Sequence, residues 1–292
     1  MPWADGELLP RDRFQDAVRL SLLERQPLLV GKIGANELQL LYWTERLKLQ
    51  GRSFTRRHVH FWNLRTCASN AGLKPRTRSS YRQFGVLLRK AALAVDHLGV
   101  WQVYQDPAER TLYRHLGLTC EYHNLFHLCP WFADPACAWP QSLAGRKLFV
   151  VSPFLESILA QYPRREQIWA ARPGLLPDCQ ISGYRFPYLI SRDCTLSWQE
   201  VYAQVAAMMR ETDFDVALLG CGALGLPLGL LAKQLGRHAI HMGGFLQVLF
   251  GIHGSRFRQD QAYAELFNQH WIAPADSETP MEAKSIENGC YW

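Results

Sequence analysis

Three side chains stand out for the chemistry they offer: Glu37, Glu156 and His241. Each follows a short apolar run that ends in small residues, the point at which a strand hands the chain to a turn or helix. Glu37 there can hold a metal ion or the hydroxyls of a ribose. Glu156 or His241 can take the proton of an attacking hydroxyl. Around them lie groups suited to an anion: Gly34 after the first run, Ser152 after the second, and Gly220, Gly222, Gly225, Gly243, Gly244 and Gln247 within 214–257. Free backbone N–H groups at glycine turns and first helical turns bind anions. Each residue also has a plainer role, and both stay open from sequence. Glu37 complements a helix N-terminus, His241 is a satisfied core histidine, the glycines allow close helix–strand packing, and Gln247 ties two strands together.

The elements that must position these residues are readable. Val216–Leu219 reads as a buried strand, followed by the turn GCGALG, an apolar helix from about Leu224 to Leu235, and a second strand at His238–His241. GCGALG satisfies the dinucleotide pattern G-x-G-x-x-G. A nicotinamide dinucleotide site also needs an acid about twenty positions on. His241 and Met242 stand there, and neither Asp nor Glu occurs between Asp215 and Asp260. The turn is thus phosphate-friendly without a ribose anchor, which disfavours an NAD enzyme or a methyltransferase. Cys221 in that turn reads as a small buried residue.

The same strand–turn–helix grammar recurs. A helix at 12–24 precedes a strand at 27–30 and a helix at about 35–49. A helix at 80–95, strands at 100–104 and 119–122, and a short helix at 107–116 follow. Lys147–Ser152 is a strong buried strand, with Ser152-Pro153 capping and opening a helix to about Tyr162. A strand at 181–186 and a helix at 197–211 with a Ser197/Glu200 capping box come next. Residues 263–271 read as helical. Two stretches read as irregular: a basic excursion at about 51–78, and a Pro/Trp-rich loop at about 127–142 with a sticky surface. Strands alternating with helices predict a single α/β domain over 1–292, with a doubly wound, mostly parallel Rossmann-like sheet flanked by helices.

Composition narrows the classes further. The chain is 48% hydrophobic and 20% charged, with no apolar run of membrane-spanning length and no expected secretory leader. Eight scattered cysteines form no C-x-x-C pair, which predicts free thiols in a reducing cytoplasm and neither a zinc site nor a disulfide scaffold. The net charge of +6 is concentrated between Glu45 and Asp96, where twelve Lys and Arg occur without one acid. This block at 46–90 predicts either a solvated basic face or a polyanionic partner, including peripheral contact with an anionic membrane. Its aromatics follow no RNA-binding signature, and nucleic acid is not the expected partner.

GKIGANELQLL at 31–41, KLFVVSPFLESILAQY at 147–162, residues 214–257, and the tail with HWIAP and ENGCYW together resemble a bacterial family of GT-D-fold glycosyltransferase-like proteins associated with polysaccharide assembly. The resemblance implies a nucleotide-sugar donor and a glycan or lipid-linked acceptor. With the thiols and the basic block, the expected location is cytoplasmic, with peripheral contact at the inner membrane. It also implies an Asp-x-Glu motif that serves a divalent metal, Mn or Mg, and the donor diphosphate. Its positions here are Ala35, Asn36 and Glu37, so the glutamate is kept and alanine stands in place of the aspartate. One carboxylate is a poor cage for a hard divalent ion. Asn36 would then assist it, or Lys32 and backbone amides would neutralise the diphosphate. Two functions follow as expectations: a glycosyltransferase, or a non-catalytic nucleotide- or polyanion-binding protein on the same fold.

Overall fold

A computed structural model of the chain describes residues 8–24, 26–51, 54–101, 106–281, 283–285 and 289–292. Helix α1, Arg11–Glu24, buries Phe14, Val18 and Leu22 along one side. Each such burial stabilises by about 1.5–3 kcal/mol. Strand β1, Leu29–Lys32, leads into α2, Ala35–Thr44. Helix α2 stops five residues short of the predicted Leu49. Arg46 adopts a left-handed φ of 55°, and the Leu47 amide turns back to the Tyr42 carbonyl at 2.9 Å. The chain then forms an antiparallel hairpin of β2, Lys48–Gly51, and β3, Phe54–His58. Helix α3 spans Arg65–Ser69. The excursion predicted to be irregular therefore carries a strand and a helix.

Helix α4 is Arg78–Leu93 and is followed by β4, His97–Val100. Of the strand predicted at 100–104, residues 102–104 lie outside the described residues. Helix α5, Asp106–Leu116, and strand β5, Glu121–Asn124, come next. The Pro/Trp-rich segment forms short 3₁₀ turns, and Trp131 and Trp139 are fully buried. The predicted sticky surface is instead part of the core, because large aromatics gain more by burial than a loop gains by exposing them.

Strand β6, Lys147–Ser152, precedes α6, Leu155–Gln161, and α7, Arg165–Ile168. Strand β7, Gln180–Arg185, is followed by α8, Trp198–Glu211, with the Ser197/Glu200 capping box formed in both directions. Strand β8, Val216–Leu219, helix α9, Gly225–Gln234, and strand β9, His238–His241, make the predicted βαβ unit. Three short α-helices follow, α10, Phe245–Leu249, α11, Ser255–Arg258, and α12, Gln261–Ala264, and the tail then carries 3₁₀ turns at Asp276–Glu278 and Ala283–Ser285. The helix predicted across 263–271 is only the α12 turn.

Seven strands form one parallel sheet in the order β5-β4-β1-β9-β8-β6-β7. The central strands are buried on both faces, as parallel sheets require. Leu29, Phe149, Val151, Ala217 and Leu219 pack toward α2, α4, α8 and α9. Val30, Leu148, Val150, Val216 and Leu218 pack the other way, against α1, α6 and α10. This is a doubly wound, Rossmann-like α/β fold. Strand order reverses direction about β1, and β1, β9, β8 and β6 lie side by side with their C-terminal ends on one edge. Open α/β sheets bind ligands at that edge.

Candidate functional site

Four adjacent strand ends surround a cavity of about 130 Å³. Strand β1 contributes Lys32, β6 contributes Ser152, β8 runs into Gly220 to Gly222, and β9 ends at His241 before Gly243-Gly244. Gln247 of α10 lines the same space. The walls are completed by Asn70 to Gly72, by residues 186–190 after β7, and by Tyr291 and Trp292 of the tail. Of the predicted site residues, Lys32, Ser152, Gly220, Gly222, His241, Gly243, Gly244 and Gln247 meet here. Gly34, Asn36, Glu37, Glu156 and Gly225 are not among its lining residues.

The two glycine turns are demanded by geometry. Gly222 and Gly243 have φ of 58° and 59°, a region that strains other residues. A Cβ on Gly243 would lie 2.7 Å from Lys32 Cε, so the lysine stem runs across the bare turn. The result is one ammonium beside two glycine turns, a setting for a compact anion.

His241 is 2% exposed, and its Nδ1 lies 3.1 Å from the Leu219 carbonyl oxygen. The Nδ1–H tautomer donates to that oxygen. Burial, and then the nearby Lys32 charge, push its pKa down to about 3. At neutral pH the imidazole is uncharged and too weak a base to carry much of a proton transfer. Gly225 sits under this ring, and any Cβ there would collide with it. Its glycine identity thus follows from packing against His241. Cys221 lines the cavity, but burial raises its thiol far above the ordinary range, so thiolate chemistry is disfavoured.

Gln247 is 1% exposed. Its Nε2 donates to the Tyr291 carbonyl at 3.2 Å and to the Ile252 carbonyl at 3.5 Å, while its Oε1 is buried and makes no hydrogen bond among the described residues. A buried acceptor left open costs about 1–3 kcal/mol. A ligand N–H or O–H would relieve that cost.

The helix after β6 is arranged differently from the sequence reading. Helix α6 begins at Leu155, and Ser152 Oγ accepts a 3.1 Å bond from the Phe154 amide. The first-turn amides of Glu156 and Ser157 donate at 2.7 and 3.2 Å to Glu278, a fully buried carboxylate from the tail, which the Ser157 hydroxyl also bonds. The chain's own carboxylate therefore holds the anion position that Ser152-Pro153 advertised. The Glu278 carbonyl accepts from Trp292 Nε1 at 2.9 Å and from the Tyr188 hydroxyl. One residue thus ties α6 to two aromatic walls of the cavity.

Glu156 points to the surface. Its carboxylate pairs with Arg185 at 2.5 Å and accepts from Ser277 Oγ at 2.8 Å. Glu37 is 8% exposed and folds back over Gly34, where a Cβ would meet its Oε2 at 2.5 Å. Its charge adds to burial in raising the Cys67 thiol. The Asn36 carbonyl accepts from Cys67 Sγ at 3.5 Å. Among the described residues, no group of three or more His, Cys, Asp or Glu is placed to hold a metal ion. One glutamate beside Ala35 does not fit a divalent cation, which prefers several hard oxygen ligands.

The wall residues Tyr188, Trp292 and Asn70, and the Glu278 anchor, lie in segments without periodicity. The ENGCYW tail was the one signal that marked any of them. Fold and cavity together define a doubly wound α/β protein with an anion-suited pocket at the C-terminal strand ends. No protein-family model, curated protein or solved structure matches the chain.

Proposed function

We propose that the chain binds a nucleoside-diphosphate sugar at this edge and transfers the sugar to a glycan or lipid-linked acceptor. The observation that carries the binding half is the convergence of Lys32 and the Gly220–Gly222 and Gly243–Gly244 turns around one cavity. The transfer half rests on the resemblance at 31–41, 147–162 and 214–257. In the reaction the bond from the anomeric carbon to the diphosphate breaks, and the acceptor oxygen bonds that carbon. The acceptor proton leaves to solvent or to the departing phosphate. The Gly220 and Gly243 amides already donate to the Val151 and Leu219 carbonyls at 2.9 and 3.2 Å, so Lys32, with the amides of Gly222 and Gly244, stabilises the charge that grows on the diphosphate, a contribution that needs no protein nucleophile. The Gln247 Oε1 accepts from a donor hydroxyl or base N–H.

The cavity is smaller than the roughly 300–1,000 Å³ of common ligand sites. On this reading the cavity holds the diphosphate, and the nucleoside and sugar extend beyond it. A second reading, non-catalytic nucleotide binding, is favoured by the placement of the carboxylates: Glu156 is in a surface ion pair, and Glu37 is not among the cavity's lining residues. Incubation with UDP-, GDP- and CDP-sugars, monitoring diphosphate release, separates the two. Release that falls at least about tenfold in Lys32→Ala supports transfer, since one lost charged contact is worth about 1.4 kcal/mol or more. Nucleotide binding without release supports the second reading, and neither binding nor release removes both.

A further inference from the structure

A second cavity, of about 600 Å³, lies between the C-terminal end of α2, the β2–β3 hairpin and α4. It sits about 15 Å along α2 from the ligand edge, given the rise of a ten-residue helix. Arg46, Arg82, Arg89 and Lys90 line it with His58 and His60. The single lining carboxylate is Glu45, already 3.6 Å from Arg89 and 3.4 Å from His115. Arg46, Arg82 and Lys90 make no ion pair among the described residues. With its imidazoles neutral the lining carries four cations against one anion. Arg82 also lies over the Trp43 ring at 5.8 Å, a contact that leaves its guanidinium charge uncompensated. Elsewhere in the basic block, Lys74 donates to the Ser191 and Cys194 carbonyls, and Arg76 and Arg78 lie over the Phe61 ring at 5.4 and 5.1 Å.

The apolar rim decides the partner. Trp62 is 61% exposed, with its ring stacked on His60 at 4.6 Å. Val86 and Leu93 are 57% and 45% exposed, and their spacing places them on the same face of α4 as Arg82, Arg89 and Lys90. An inorganic polyanion is gripped by cations alone, and a single-stranded nucleic acid can stack a base on Trp62 but gains little from the exposed aliphatic Val86 and Leu93. A membrane surface uses both: phosphate headgroups for the cations and the acyl boundary for the apolar side chains. We infer that this face docks onto an anionic membrane, with a lipid phosphate headgroup in the Arg46/Arg82/Lys90 cavity and Trp62, Val86 and Leu93 at the interface. The inference does not rest on the nucleotide-sugar reading.

Co-sedimentation tests it, using vesicles of phosphatidylcholine alone and with about one third phosphatidylglycerol. The full chain should bind only the anionic vesicles, and less at high salt. Arg82→Glu with Lys90→Glu should cut binding at least about tenfold, at about 1 kcal/mol for each charge near the surface. Trp62→Ala should cut it about fivefold, by loss of buried apolar area. Thermal melting checks the fold, and if the charge reversal melts early, Arg82→Gln with Lys90→Gln replaces it. Failure to bind anionic vesicles, equal binding to both compositions, or binding indifferent to these variants overturns the proposal. So does polyphosphate binding that these variants weaken while vesicle binding is absent, because it assigns the cavity to a soluble polyanion.

Discussion

A Cβ at Gly225 would collide with the His241 ring, and one at Gly243 with the stem of Lys32. At the residue scale these two glycines have different predicted failures. Gly243→Ala adds a strained left-handed backbone, costing about 1–3 kcal/mol, and displaces Lys32, so it should lower the melting temperature and weaken diphosphate binding. Gly225→Ala keeps an allowed helical backbone but overpacks His241, costing about 1–3 kcal/mol. Chemical denaturation of both variants checks the costs, and an unchanged midpoint for either removes the packing argument. The histidines set a pH dependence. Burial lowers His241 to about 3 and His127 and His238 to about 4. Unfolded imidazoles titrate near 6.5. Between those values the unfolded chain binds protons that the fold refuses, so stability is fully present above about 6.5 and falls as pH drops toward 4. The expected loss by pH 5 is on the order of a few kcal/mol. Melting across pH 5 to 7.5 measures it, and a flat profile would show that these histidines are not held neutral.

At the element scale, the tail is fastened to α6 through Glu278, and the same residue positions Tyr188 and Trp292. Glu278→Ala leaves the α6 amides unpaired and should cost about 2–4 kcal/mol, from several charge-assisted bonds at about 1.5–3 kcal/mol each with partial rehydration. It should also speed proteolysis of the tail, and a tail as resistant as wild type would show that the clasp does not hold it. Much of this scale was legible beforehand. Val216–Leu219 and His238–His241 appear as predicted because an apolar run bounded by glycines reports itself locally. The Ser197/Glu200 box formed for the same reason. The hairpin at 48–58 was hidden, since its polar, basic strands carry no apolar alternation and depend on the left-handed Arg46. The Glu278 clasp was hidden too, because its partners lie about 120 positions apart. Ser152-Pro153 looked like an open anion site only because nothing local announces a carboxylate arriving from the tail.

For the whole molecule, strand order is what turns separate motifs into one site. The sequence showed three strand-end turns. The order β1-β9-β8-β6 brings together Lys32, Ser152 and both glycine turns, while Glu37 is not among the cavity's lining residues and Glu156 is held by Arg185. No helix among the described residues is long and apolar enough to cross a membrane. Charge is split between two places: a compact cationic pocket at the strand edge and a broad basic face on α4 and the hairpin. The central claim is that the strand-edge pocket holds a diphosphate through Lys32 and the glycine turns. Isothermal titration of UDP, GDP and CDP into the wild type and Lys32→Ala tests it most directly. The expected result is saturable binding of at least one nucleotide by the wild type, weakened at least about tenfold in the variant. No binding of any of the three, or equal binding by both proteins, would contradict it.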